Sequence, residues 1–270
     1  MLLLLPQGRA ASPEQRQTPA RTNATAACTL PFAIMTRHIP NIITLFNLFF
    51  GCCALLFTWN NEPVTAAWCT AACFGCDYLD GMLARALNVH SPLGKQLDSL
   101  ADVVSFGVVP GAMMYKLLEM SLCHGQGGVC IAALPAFGLS MVSALRLGKF
   151  NLDTRQTNYF IGLTTPACTV FVLGFSLAVQ HHRFGIDAWA LQPVLLYVLT
   201  AALSVLLITE IPMLGMKIKK FDLAGLRIPL LFIGVFLVAL WFLKELALPA
   251  IIVFYIVYSI VFKHEIFRGN

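Results

Sequence analysis

From Ile39 to Phe262 the chain is apolar in runs too long and too frequent for the core of a water-soluble domain. Only 11% of its 270 residues are charged and 58% are hydrophobic, whereas soluble domains carry about 25% charged residues. Lipid offers backbone groups no hydrogen-bond partners, so such a chain must satisfy them within helices of about 20 apolar residues each. Segments that meet this requirement lie at about 42–59, 64–86, 97–118, 129–147, 162–179, 192–208, 228–243 and 246–262. The expected fold is all-α, a polytopic membrane bundle of about eight transmembrane helices joined by short connections.

Charge placement sets the orientation. Arg37, Arg85, Lys95, Arg146, Lys149, Arg155, Lys217, Lys219, Lys220, Arg227, Lys263 and Arg268 fall on one side of these spans, against Lys116, Arg183 and Lys244 on the other. Basic loops stay in the cytoplasm, which places both termini and the connection after the second span there. The net charge of +5 is spread over these loops, so it speaks for topology and attraction to membrane lipids rather than for nucleic-acid binding. Residues 1–34 are polar and rich in Pro, Ala and Thr, and read as a disordered tail or as a stretch upstream of a start at Met35. Residues 35–210 would form a six-span core, and 211–270 two additional spans. The nine cysteines sit mostly within apolar runs, which favours buried hydrophobes over a disulfide framework.

Against this apolar background four carboxylates stand close together. Asp77 and Asp80 are three apart, and Asp98 and Asp102 four apart, so each pair shares one helix face. Ionisable groups at bilayer depth are expensive and mark function. Four acids without matching bases repel one another unless divalent cations sit among them. Oxygen-only ligands, with no His or Cys, suit Mg²⁺ or Mn²⁺, and two pairs suit two ions in a phosphoryl-transfer clamp. Gly81 leaves room for a substrate to approach the backbone, Ala84 continues that small face, and Arg85 has the fork geometry for a diphosphate. Pro92 and Gly94 read as turn residues between two helices.

The pattern Asp77-x2-Asp80-Gly81-x2-Ala84-Arg85-x8-Gly94-x3-Asp98-x3-Asp102 resembles, position for position, the signature of the CDP-alcohol phosphatidyltransferase family. The resemblance implies an integral membrane homodimer that uses two divalent ions to displace CMP from a CDP-linked lipid or alcohol. It implies metal binding by Asp77, Asp80, Asp98 and Asp102, with Asp102 also the general base. Gly81, Ala84 and Arg85 would line the CDP site, and Ser91 would help hold the diphosphate. The stretch Pro40-Asn41-x2-Thr44-x2-Asn47 is similar to the family as well, and extends the nucleotide site to Asn41 and Thr44. It equally suits a helix start whose polar side chains bond locally.

Further on, Arg146-Leu-Gly-Lys149-Phe-Asn151 and Tyr159-Phe-Ile-Gly162-Leu-Thr-Thr-Pro166-Ala167 resemble the phosphatidylserine synthase branch, with Gly148, Lys149 and Thr164 where that branch often has Ala, Arg and Pro. The resemblance implies transfer of a phosphatidyl group from CDP-diacylglycerol to L-serine in a bacterial inner membrane, with the site at the cytoplasmic face. Arg146 and Lys149 suit an anionic phosphate or carboxylate there, and Asn151 a hydrogen bond to it. Glycerol 3-phosphate or an inositol phosphate as acceptor would call for more basic residues. An intramembrane prenyltransferase fits the short Asp77/Asp80 spacing poorly. A divalent-cation transporter leaves Arg85 without a purpose and predicts symmetric broken helices that the sequence lacks.

Overall fold

The computed structural model describes residues 24–89, 91–123, 128–152, 160–213 and 223–262, with side chains described from His38 onward except at 160, 183 and 223–229. The expected tail up to residue 23, and Arg155, Tyr159, Lys217, Lys219, Lys220, Lys263 and Arg268, lie outside the described residues. The chain divides into two units, Met1–Arg37 and His38–Asn270. In the first, residues 24–37 are helical, upstream of Met35 as well as beyond it.

Helices dominate the second unit. Helix α1 (Ala24–Trp59), which belongs to this unit from His38 on, and α2 (Pro63–Ala86) are joined by a tight turn at Asn61. A continuous rod follows, made of α3 (Pro92–Val103), a π-helical turn (Val104–Val108) and α4 (Val109–Leu122). A 3₁₀ stretch (Ile131–Phe137) leads into α5 (Gly138–Leu152). Next come β1 (Phe160–Ile161), α6 (Thr165–Gln180), the single turn α7 (Asp187–Ala190), α8 (Pro193–Ile208), β2 (Pro212–Met213), α9 (Leu223–Leu243) and α10 (Ala247–Val261). Four described stretches are long and apolar enough to cross a membrane: His38–Trp59, Pro92–Leu122, Ile131–Leu152 and Leu230–Val261. Helices α6 and α8 are apolar but shorter.

The rod from Pro92 to Leu122 corrects one expectation. Pro92 and Gly94 belong to the first turn of α3, not to a connection. Proline at the first helical position gives up a backbone N–H that would lack a partner there anyway, and Ser91 caps the helix by accepting from the Gly94 amide at 2.9 Å. The helix therefore starts ahead of the span expected from residue 97. Similarly, α5 runs on to Leu152, past the span expected to end near 147, so Lys149 and Asn151 are helical as well.

Where the π turn interrupts the α ladder, small residues let neighbours close in. The Ser140 hydroxyl donates to the Gly107 carbonyl at 2.9 Å, and the Thr169 hydroxyl lies between the Phe106 carbonyl at 3.1 Å and the Thr165 carbonyl of its own helix at 3.0 Å. Such side-chain donors are what an irregular turn needs in a water-poor interior. A short ladder of β1 with β2 (Phe160 opposite Met213, Ile161 opposite Pro212) is the one departure from an all-helical fold among the described residues. Gly162 makes it possible. Its φ is +72°, and an added Cβ would lie 2.8 Å from the Thr209 carbonyl oxygen.

At the far end of the rod, Trp59, Tyr115 and Phe137 stack with centroids 5.7 and 5.5 Å apart. The Tyr115 hydroxyl accepts from the Cys130 amide at 3.0 Å. There Cys123 and Cys130 are joined in a disulfide, Cα atoms 6.3 Å apart. That overturns the expectation for these two cysteines. Cys73 and Cys168, by contrast, are free and buried.

Candidate active site

The C-terminal half of α2 and the first part of the rod bring the acids together. Carboxylate oxygens of Asp77, Asp98 and Asp102 all lie within 4.8 Å of one another. Asp80, buried where the other three are half-buried, turns toward α1, where the Thr44 hydroxyl donates to it at 2.6 Å. Thr44 also lies 3.1 Å from the Pro40 carbonyl, one turn back on its own helix. Local bonding and contact with the acid site therefore occur in the same side chain.

Among the described residues no basic side chain forms an ion pair with these carboxylates. At such separations in a partly desolvated setting their mutual repulsion is severe. The donor set, oxygen only and converging from two helices, fits a hard divalent cation. It is a cluster able to hold a metal ion.

Beside the cluster opens a cavity of ≈ 490 Å³ whose wall includes Asp80 and Asp98. Asn41, Thr44, Gly81, Ala84 and Ser91 line it too. An added Cβ at Gly81 would meet nothing within 4 Å, so this helix face leaves open space where a side chain would otherwise project. At Gly94 an added Cβ would come within 3.0 Å of both Asn41 Oδ1 and Ser91 Oγ, so the missing side chain lets α1 approach the start of α3. Arg85 is the exception among the expected nucleotide contacts: it is exposed, does not line the cavity, and donates from Nε to the Gly81 carbonyl at 2.9 Å.

Two residues stand differently from their sequence reading. Lys95, which the sequence marks only as a topology signal, lines the cavity while its ammonium donates to the Asn151 carbonyl at 3.3 Å. Its place in the signature, one residue after Gly94, was the available hint. Asn47 does not line the cavity; it is fully buried and donates from Nδ2 to Asp102 Oδ1 at 3.4 Å.

The expected acceptor residues occupy α5. Arg146 is buried, 7% exposed, and its Nε has no hydrogen-bond partner. Ser143 Oγ, one turn earlier, and Thr165 Oγ1 on α6 are buried and unpartnered as well. Lys149 is exposed. The Asn151 side chain donates to Ser99 Oγ at 2.7 Å, tying α5 to α3.

The family profile described as CDP-alcohol phosphatidyltransferase matches residues 37–257. A Helicobacter pylori (strain ATCC 700392 / 26695) protein named CDP-diacylglycerol–serine O-phosphatidyltransferase is 29% identical over 225 residues, 82% of this chain and 89% of its own length. A Bacillus subtilis (strain 168) protein of that name is 31% identical over 175 residues, 64% of this chain and 88% of its own length. One from Saccharomyces cerevisiae (strain ATCC 204508 / S288c) is 33% identical over 161 residues, 53% of this chain and 55% of its own length. A profile that spans the acid cluster, the cavity and most of the helices around them leaves one assignment: the chain belongs to the CDP-alcohol phosphatidyltransferase family.

Proposed function

We propose that this protein transfers a phosphatidyl group from CDP-diacylglycerol to L-serine, giving phosphatidylserine and CMP. The observation that carries the reading is the convergence of Asp77, Asp98 and Asp102 beside a cavity walled by the small face of Gly81 and Ala84. Relatives named for the serine reaction supply the acceptor.

Asp77, Asp80, Asp98 and Asp102 would hold two divalent ions, Mg²⁺ or Mn²⁺. Bound there, such ions neutralise the diphosphate and the charge that develops on departing CMP. The chain's own groups do the rest. Asn41, Thr44 and Ser91 offer polar contacts to the nucleotide, while Gly81 and Ala84 leave space for it. Lys95 and Arg85 supply positive charge at the mouth. Asp102 accepts the proton of the serine hydroxyl, whose oxygen bonds to the lipid-proximal phosphorus. The bond from that phosphorus to the bridging oxygen breaks, and CMP leaves with the electron pair. No covalent intermediate on the protein is required.

At the acceptor end, the buried guanidinium of Arg146 and the unbonded hydroxyls of Ser143 and Thr165 suit a small zwitterion with a carboxylate. Lys149 and Asn151 would act at the rim. The proposed setting is a bacterial inner membrane, crossed by about eight helices in a homodimer, six in the core up to residue 210 and two beyond it. Both termini and the acid cluster would face the cytoplasm. Basic-residue placement supports this orientation, and so does the disulfide. Asp102 and Cys123 are separated by about 30 Å of helix, roughly the hydrocarbon thickness, and disulfides persist on the oxidising side.

The test supplies purified protein with CDP-diacylglycerol and Mg²⁺ or Mn²⁺, then adds L-serine, glycerol 3-phosphate or inositol phosphate in turn. CMP release that depends on serine is expected. Release that responds to another acceptor and not to serine sinks the assignment.

A further inference from the structure

Asn47 lies deeper than any nucleotide contact, with no exposed surface. Its surroundings are specific. The main-chain carbonyl of Asn47 accepts from the Ser105 hydroxyl at 3.1 Å and from the Cys73 thiol at 3.4 Å. Ser105 belongs to the π turn that begins two residues after Asp102, and Cys73 lies one turn before Asp77 on α2. One peptide carbonyl on α1 thus holds both carboxylate-bearing elements. Gly51 allows the approach, since an added Cβ there would lie 2.5 Å from Ser105 Oγ.

The side chain points the same way. A carboxylate only accepts, so the amide nitrogen must face Asp102, as it does at 3.4 Å. The amide oxygen, carried on the same carbon, therefore stays near that carboxylate, and Oδ1 is buried with no hydrogen-bond partner. Buried amide oxygens are rarely left unbonded, and one that is calls for a donor absent from the protein itself. The carboxylates beside it supply no donor when ionised. A water or hydroxyl held at the acid cluster does.

We propose that Asn47 is a positioning residue for Asp102: its amide nitrogen orients the carboxylate, and its free oxygen accepts a hydrogen bond from a water or hydroxyl bound at the acid cluster. The proposal rests on the reading of that cluster as a divalent-cation site with Asp102 as base. Residues that orient ligating carboxylates typically change metal affinity or activity by about 10- to 100-fold when removed.

Two variants of the full-length protein in detergent test it. Asn47→Leu keeps the volume and the main-chain carbonyl used by Ser105 and Cys73 but removes both polar side-chain atoms. Asn47→Asp keeps the shape and exchanges the donor for an acceptor. Free Mn²⁺ is followed by electron paramagnetic resonance without substrates, and kcat and KM for CDP-diacylglycerol are measured separately. In the leucine variant Mn²⁺ binding should weaken about tenfold and kcat fall about 10- to 100-fold, with KM within about threefold. The aspartate variant should bind Mn²⁺ yet lose turnover to a similar degree. Wild-type turnover in the aspartate variant overturns the proposal, whether or not the leucine variant folds. So does a leucine variant with unchanged Mn²⁺ affinity and kcat, or one whose whole defect is a raised KM. The Mn²⁺ measurement does not depend on the acceptor, so an incorrect serine assignment leaves it readable. A wild-type protein that binds no Mn²⁺ removes the cation reading and this proposal together.

Discussion

Thr44→Val changes one atom's chemistry at the acid site and almost nothing of its shape. The Thr44 hydroxyl has one hydrogen and two acceptors in reach, Asp80 at 2.6 Å and the Pro40 carbonyl at 3.1 Å, and the shorter contact takes it. Both residues are buried, at 4% and 6% exposure, but they also line the cavity, so water there offsets part of the loss. A hydrogen bond to a charged group contributes about 1.5–3 kcal/mol, and the lower end of that range applies when water replaces the donor. If Asp80 must hold its orientation during phosphatidyl transfer, that range corresponds to a loss of about 10- to 150-fold in kcat/KM, at about 1.4 kcal/mol per tenfold. Thr44→Ser keeps the donor and should lie within about threefold of wild type. The assay is serine-dependent CMP release by purified protein in mixed micelles, with circular dichroism to show that the helices persist. A valine variant that retains more than about half of wild-type kcat/KM would refute the claim that this bond holds the carboxylate for catalysis.

Asp102→Asn should abolish CMP release while leaving size-exclusion behaviour and helix content as in wild type; full activity removes the base assignment. Chelation with EDTA should stop turnover and added Mg²⁺ or Mn²⁺ restore it, and activity that survives exhaustive chelation excludes the cation site. Gly162→Ala should destabilise by about 1–3 kcal/mol, read as a lower melting temperature in detergent, because its φ of +72° favours glycine and its Cβ would crowd the Thr209 carbonyl. An unchanged melting temperature contradicts that account. In intact cells of a strain expressing the protein, an impermeant maleimide should label Cys123 and Cys130 only after a reductant is added from outside. Labelling without reductant denies the disulfide, and labelling only in inverted vesicles reverses the orientation.

Much of the helical framework can be read from hydropathy, because a long apolar run has few ways to satisfy its backbone. The ends are less legible. Residues Ser91 to Lys95 look like a polar turn, yet Pro92 and the Ser91 cap make them a helix start; the capping signal was outweighed by the proline and glycine beside it. The π turn after Asp102 has no local signature at all. It depends on Ser140 and Thr169, which are distant in sequence and bring hydroxyls to its carbonyls. In the same way, spacing brings Asp98 and Asp102 onto one face, but nothing in α2 tells that Asp80 turns to Thr44 while Asp77 joins the other two. Cys123 and Cys130 were hidden by an odd total and by neighbours buried in apolar runs. Their pairing is a property of where two helices end, not of composition.

Arg146 gives the last helical hairpin a purpose beyond length. Its electrostatic neighbours are Cys168 on α6 and Tyr255 on α10, and Tyr255 sits on the buried side of its helix with Ile252 and Ser259. Phe232 on α9 meets Phe254, Tyr255 and Tyr258 edge-on, which packs α9 against α10. Tyr255 thus brings α10 beside the guanidinium, with α9 packed against α10. A chain trimmed after α8 would keep every acid of the reaction centre and lose Tyr255, one of the two electrostatic neighbours of Arg146.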